Sequence, residues 1–235
     1  MIDNSRVIAV LLPGMDGTGE LFEPFVQAMP PHIEVVRVRY PGAIRLSYAQ
    51  TAELVLGQLP TKRPYVIIAE SYSGPIAIRL AAQNLPALRA IVLVASFCER
   101  PAGLAGNWLS GLPLETIFRL PIPNWFLRWL LMDSQTSAEL IAACQSAISQ
   151  VRPDVLAARM RDVLAVDCSE EVRGCPTRIV CLNAANDRLI ARRGQLGFQR
   201  ARPDIEIVPI AGPHLLLQCA PQAVVTKLEE MGLFR

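Results

Sequence analysis

The most informative segment of the chain is Tyr65-Val66-Ile67-Ile68-Ala69-Glu70-Ser71-Tyr72-Ser73-Gly74-Pro75. It begins as an unbroken apolar run of strand length, turns around one serine, and continues over 76–85 with helical spacing. A reactive serine on a tight strand-to-helix turn needs small residues two positions before and two positions after it. Ala69 and Ser73 meet this need, so Ser71 is a candidate nucleophile. The alternative is an ordinary strand-to-helix turn with a capping serine, which is common in doubly wound proteins.

Composition limits the class of protein. The chain has 235 residues, 51% of them hydrophobic, which is enough for one large domain or one domain with an insertion. Its 23 basic and 21 acidic residues give a net charge of +2, and the basic residues are scattered. We therefore expect no nucleic-acid partner.

The six cysteines favour free thiols over a metal site. They form no C-x-x-C pair and have no histidine nearby, so no zinc site is recognisable and no metal is expected. Several lie in apolar surroundings, as expected for reduced thiols in a cytosolic protein. The N-terminus lacks the pattern of a signal peptide, and no apolar run reaches transmembrane length. We therefore expect a cytoplasmic protein without a transmembrane segment.

Apolar strands alternate with helical segments along most of the chain. Six strand-like runs lie at 7–12, 33–38, 65–70, 88–95, 178–182 and 205–210. Amphipathic stretches separate them. Strands that are apolar on both faces and alternate with helices predict a parallel sheet covered on both sides. The predicted fold class is α/β, and functional loops are expected at the carboxyl ends of the strands.

The alternation stops between the fourth and fifth strands. Residues 97–166 are helical in character, broken by prolines, and rich in apolar side chains. We interpret this segment as a helical lid inserted into a core domain formed by 1–96 and 167–235. Its three tryptophans, Trp108, Trp125 and Trp129, are candidate substrate-binding residues, with the alternative that each only belongs to the small core of the lid.

A serine nucleophile needs a histidine to accept its proton, and the chain has only two. His32 precedes the second strand, at the amino end of the sheet, where a solvated loop residue is the better interpretation. His214 follows the last strand directly, at the carboxyl end, from which it can reach Ser71. His214 is therefore the candidate base.

The histidine in turn needs a carboxylate that orients its ring. Asp187 follows the fifth strand, also at the carboxyl end, and gives the chain order Ser, Asp, His. A turn or capping aspartate is the simpler alternative for this residue. Glu99 and Asp167 are the competing acids, but neither fits this chain order as well.

Two backbone N–H groups are expected to bind the oxyanion of the reaction. Tyr72, just after the serine, supplies one, and the glycine-rich loop after the first strand supplies the other through Met15. The spacing of Gly14, Gly17 and Gly19 in that loop is not the G-x-G-x-x-G of a dinucleotide site, so a nucleotide role is the weaker interpretation.

These motifs together resemble the α/β-hydrolases, specifically the small, lidded, serine-dependent members. The resemblance covers essentially the whole chain and is carried by four segments: 11–19, 69–74, 186–190 and 212–214. The opening loop and elbow are similar to those of bacterial esterase and thioesterase-like members and of the plant phytyl-ester-synthase group. Two departures stand out: Pro13-Gly14 replaces the usual His-Gly, and Ala69 and Ser73 stand where glycine is commoner. The resemblance implies a six-stranded, wholly parallel minimal sheet.

The resulting functional hypothesis is a serine hydrolase with an oxyanion hole that cleaves an ester or thioester through an acyl-enzyme. The resemblance implies no cofactor, and the apolar lid favours a hydrophobic acyl group. An acyltransferase with the same acyl-enzyme and a non-catalytic small-molecule receptor are the alternatives. The sequence leaves open the acyl chain length, the oligomeric state, and whether the acyl group is carried by a protein, coenzyme A or a simple alcohol.

Overall fold

The computed structural model describes residues 7–101, 112–190 and 192–235, without the side chains of 192–195. The six strands of the described chain form one sheet in the order β2-β1-β3-β4-β5-β6. Every neighbouring pair is parallel. The strand bounds are β1 Ile8–Leu12, β2 Glu34–Arg37, β3 Tyr65–Glu70, β4 Leu88–Val94, β5 Arg178–Ala184 and β6 Glu206–Ile210. The predicted α/β class and the wholly parallel six-stranded sheet are confirmed.

Helices cover both faces of this sheet. The core helices are α1 Glu23–Ala28, α2 Tyr48–Leu56, α3 Gly74–Ala81, α8 Ser169–Gly174, α9 Arg192–Ala201, α10 Leu216–Cys219 and α11 Pro221–Glu230. Alternate residues of each central strand enter opposite cores, as the pleat requires. In β3, Ile67 belongs to the core cluster that includes residues of α2, α3, α8 and α9, whereas Ile68 belongs to the cluster that includes residues of α1, α10 and α11. Both are fully buried, which explains why the strand is apolar without interruption.

The segment between β4 and β5 is helical where it is described. It contains α4 Leu114–Phe118, α5 Asn124–Leu131, α6 Ala138–Ser149 and α7 Pro153–Ala165. Pro113 and Pro123 directly precede α4 and α5, and Pro153 is the first residue of α7. Proline restricts the residue before it and cannot continue a preceding helix, so these prolines divide the segment as expected. Trp108 lies outside the described residues.

All six cysteines are free thiols, five of them buried. In the part of the chain that the structure describes, no helix combines the length and the apolarity that a membrane span requires.

Candidate active site

Three side chains from three strand ends meet at the carboxyl edge of the sheet. His214 Nε2 lies 2.9 Å from the hydroxyl oxygen of Ser71, and His214 Nδ1 lies 2.8 Å from Asp187 Oδ2. The His214 and Asp187 side chains are 3% and 1% exposed. The structure therefore brings the three predicted residues together as a hydrogen-bonded chain, shielded from water on the histidine side.

Ser71 is held in a strained backbone conformation. Its φ is +48°, in the left-handed region that residues with a side chain rarely occupy. Its carbonyl oxygen accepts hydrogen bonds from the Gly74 amide and from the Ser96 hydroxyl, the latter at 2.6 Å. A Cβ on Gly74 would lie 1.9 Å from Ser96 Oγ, so only glycine fits there. These contacts stabilise the tight turn after β3.

Asp187 is fixed by its own turn. Its Oδ1 accepts the amides of Leu189 and Ile190 at 2.8 and 2.9 Å, which leaves Oδ2 for His214. The two competing acids are engaged elsewhere: Glu99 pairs with Arg200, and Asp167 accepts the amide and hydroxyl of Ser169. His32, the alternative histidine, is solvent-exposed before β2.

The two predicted oxyanion donors border the same cavity as Ser71. Met15 and Tyr72 both line it. Tyr72 is the second residue of the 3₁₀ turn Ser71–Ser73, where an N–H has no partner within the turn. Within the described residues, the Met15 amide has no backbone acceptor. Both residues therefore lie in the lining of the cavity that contains Ser71.

Comparison with known proteins identifies the family. The model of the alpha/beta hydrolase family matches residues 9–227. This chain belongs to that family. No curated protein matches the chain.

Solved structures show the same hydrolase fold at low identity. A lipase-esterase related protein from Clostridium acetobutylicum has 13% identity and a TM-score of 0.76, over 98% of this chain and 98% of that chain. A hydrolase from Pseudomonas aeruginosa has 15% identity and a TM-score of 0.79, over 97% and 90%. A hydrolase from Oleispira antarctica has 16% identity and a TM-score of 0.74, over 97% and 92%. Because the identities are this low, the structural matches establish the shared fold alone. The family assignment supports a hydrolase activity.

The cavity of this α/β-hydrolase has a volume of about 330 Å³ and mostly apolar walls. The helices α4–α7 and the link between α4 and α5 provide much of the lining: Ile117, Phe118, Ile122, Phe126, Leu127, Leu130, Leu131, Cys144, Ile148, Leu156, Met160 and Val163. The sheet side adds Leu21, Phe97, Leu189, Ile190 and Leu215. A wider open depression of about 610 Å³ lies at the amino ends of β3 and β4 and contains none of the candidate residues.

The two described tryptophans of the hydrolase do not line this cavity. Trp125 is 70% exposed and Trp129 is 53% exposed, on the outer face of α5. The guanidinium of Arg188 lies over the Trp129 ring. The inner face of α5 carries Phe126 and Leu127 instead. The prediction that Trp125 and Trp129 bind substrate is therefore not supported by their positions, because in so apolar a helix composition does not show which face turns inward.

Sequence reasoning missed Arg159 entirely. This α7 residue is 4% exposed, and its Nη1 donates to the carbonyl oxygens of Met15 and Asp16 at 2.8 and 3.0 Å. Its Nη2 donates to the Pro41 carbonyl at 3.1 Å. Gly17, with φ +72°, leaves room for the guanidinium, since a Cβ there would lie 2.7 Å from Nη1. A helix of the insertion thus holds the loop that carries Met15.

Ser73 links the elbow to the same loop. Its hydroxyl donates to the Pro13 carbonyl and is 2.6 Å from the Tyr40 hydroxyl. Because Ser73 has one proton, Tyr40 must donate to it. The sequence analysis assigned Ser73 only a small size, and the structure adds this hydrogen bond, which a glycine could not make.

Glu70 is the most unusual ionisable group near the site. It is 2% exposed, lines the cavity, and immediately precedes Ser71. Burial raises the pKa of this carboxyl to about 7, while the nearby His214 and the hydrogen bond from Gln218 act in the opposite direction. No three His, Cys, Asp or Glu side chains cluster as metal ligands in the described ranges.

Proposed function

We propose that this chain is a serine hydrolase that cleaves a carboxylic ester or thioester with a hydrophobic acyl group. The observation that carries the proposal is the pair of contacts made by His214, 2.9 Å to Ser71 Oγ and 2.8 Å to Asp187 Oδ2. A serine hydroxyl, an imidazole and a carboxylate in hydrogen-bonded sequence are the parts that nucleophilic acyl transfer requires.

In this mechanism Ser71 attacks the acyl carbon while His214 Nε2 takes the hydroxyl proton. His214 then gives that proton to the leaving alcohol or thiol, and an acyl-enzyme remains on Ser71. A water molecule, deprotonated by His214, attacks the acyl-enzyme and releases the acid. Asp187 accepts a hydrogen bond from Nδ1, which holds the ring in the tautomer that leaves Nε2 basic.

The amides of Met15 and Tyr72 are the proposed oxyanion donors. Negative charge develops on the carbonyl oxygen as Ser71 attacks, and fixed N–H groups stabilise it without rearranging. Arg159 supports this role because it binds the Met15 carbonyl and so restricts the orientation of the loop that carries the Met15 amide.

The hydrophobic acyl group is proposed from the cavity walls. Apolar side chains of α4–α7 form much of the lining above Ser71. We propose that residues 97–166 act as a lid over the core formed by 1–96 and 167–235. A chain buried against these walls would gain about 25 cal/mol for each Å² removed from water. The six free thiols favour a cytoplasmic location.

The direct test is covalent labelling by a fluorophosphonate probe, read by intact mass. We expect one adduct on the wild-type protein and none on Ser71→Ala. The same variant should lose p-nitrophenyl ester hydrolysis by about 10⁴-fold or more while its thermal unfolding stays near wild type. Ser149→Ala, at an exposed serine that ends α6, is the control and should still be labelled. Labelling that persists in Ser71→Ala would contradict the proposal.

A second measurement defines the substrate class. Rates across acyl chains of two to twelve carbons, on oxygen esters and on thioesters, should rise as the chain fills the cavity and then level off. Adding an alcohol or thiol acceptor and analysing the products separates hydrolysis from acyl transfer, since both pass through the same acyl-enzyme.

A further inference from the structure

Glu70 is a buried carboxyl that the proposed reaction does not use. Its Oε2 accepts a hydrogen bond from Gln218 Nε2 at 3.2 Å. Its Oε1 is buried and has no hydrogen-bond partner among the described residues. A buried polar atom without a partner costs free energy, so this oxygen requires an explanation.

Glu70 is close to the proposed nucleophile in the chain and in the cavity lining. Glu70 directly precedes Ser71 and lines the same cavity. A Cβ built on Gly14 would lie 3.8 Å from Glu70 Oε2, so the carboxyl is also beside the loop that carries Met15. If the substrate is held between Ser71 and that loop, its first acyl carbons are the part of the acyl group nearest to Glu70.

The groups around Glu70 determine which ligand suits it. Asp16 also lines the cavity, and its charge raises the pKa of Glu70, so an anionic substituent would be repelled. His214 lowers that pKa, Gln218 is neutral, and the Cys144 and Cys219 thiols have pKa values raised by burial to about 12 and about 11, which keeps them uncharged. A cationic substituent would have to be desolvated among apolar walls.

A hydroxyl group satisfies both forms of this carboxyl. With a pKa of about 7, Glu70 is present as acid and as carboxylate at neutral pH. A hydroxyl can donate to the carboxylate and accept from the acid, whereas an ether only accepts and an ammonium only donates.

We propose that Glu70 is a specificity-determining residue that binds a hydroxyl group on the first carbons of the acyl chain. The inference rests on the proposed function and refines its substrate class to hydroxyacyl esters or thioesters. A hydroxyl bound beside Glu70 would give the buried Oε1 its missing hydrogen-bond partner, and the apolar walls would hold the rest of the chain.

The experiment compares p-nitrophenyl butyrate with its 2-hydroxy and 3-hydroxy counterparts. The kcat/KM of each ester is divided by its alkaline hydrolysis rate, which removes the effect of the hydroxyl on intrinsic reactivity. For the wild type we expect one hydroxy ester to be preferred by about tenfold or more, as for a hydrogen bond to a charged group. Glu70→Met, of similar length without polar oxygens, should bring that ratio to about one or below.

Two outcomes would overturn the inference. Absence of a preference for either hydroxy ester in the wild type would do so even if Glu70→Met failed to fold. A preference that persists in a folded Glu70→Met would do so as well. A protein that hydrolyses none of the three esters and takes no fluorophosphonate label would instead contradict the proposed function.

Discussion

Arg159 Nη1 donates a hydrogen bond of 2.8 Å to the carbonyl oxygen of Met15, joining α7 of the insertion to the loop after β1. The two residues are 144 positions apart in the chain. The insertion therefore does more than line the cavity, because it also restrains a loop with a proposed catalytic amide.

Removal of this contact should reduce the rate more than substrate binding. We expect Arg159→Met to lower kcat by about 10- to 100-fold with a smaller change in KM, because a misplaced oxyanion donor acts mainly on the transition state. Steady-state kinetics on a p-nitrophenyl ester measure both constants. Arg161→Met, at an exposed position of the same helix, is the control and should behave as wild type. Equal kinetics in the two variants would show that Arg159 does not position the loop.

The assignment of the acid is tested by Asp187→Asn. An asparagine keeps the shape but favours the wrong histidine tautomer, so kcat should fall by about 10⁴-fold. Glu99→Gln is the matched control, and we expect its rate to stay within a few-fold of wild type because Glu99 pairs with Arg200. A large loss in Glu99→Gln with little loss in Asp187→Asn would reverse the assignment.

The close approach of Gly74 to Ser96 predicts a stability effect. In Gly74→Ala the new Cβ would meet Ser96 Oγ at 1.9 Å, so we expect a loss of about 1–3 kcal/mol in the free energy of unfolding. Urea denaturation measures it. The double variant Gly74→Ala, Ser96→Gly should recover part of the loss, as expected for a direct pair.

Gly174→Ala is the control for this experiment. A Cβ there meets nothing within 4 Å, so its unfolding midpoint should not fall. An equal loss in both alanine variants would mean that the approach to Ser96 is not the cause.

Glu70 predicts how stability depends on pH. The pKa of Glu70 is raised from 4.5 to about 7 in the folded protein. Protonation of Glu70 therefore stabilises the folded protein relative to the unfolded chain. The contribution to stability is fully present below pH 4.5 and is lost as the pH rises through about 7, by as much as about 3 kcal/mol.

Glu70→Gln has no carboxyl that titrates at this position. Comparing it with the wild type therefore separates the effect of Glu70 from the effects of other ionisable groups. The free energy of unfolding of the variant, relative to wild type, should increase between pH 5 and pH 8. Urea titrations of both proteins at the two pH values measure the difference. A difference that does not change with pH would show that the pKa of Glu70 is close to that of an exposed carboxyl.

The order of residues along the chain is enough to predict the parallel sheet and the edge that carries the candidate site. Strands such as β3 are apolar on both faces because helices cover both, and this pattern is visible in the order of residues. The carboxyl ends of parallel strands share one edge, and the chain has only two histidines. Those two facts predict that Ser71, Asp187 and His214 lie together.

The side chains that surround that edge depend on packing between distant parts of the chain. Arg159 reaches a loop 144 residues away, and Ser73 bonds the Pro13 carbonyl across 60 residues. The local sequence does not predict such pairs, because the residues around Arg159 or Ser73 would be equally compatible with an exposed side chain. The inward face of α5 was likewise set by packing, which buried Leu127 and left Trp125 and Trp129 outside. Periodicity identifies a helix, whereas the contacts of its faces depend on the elements that it meets in space.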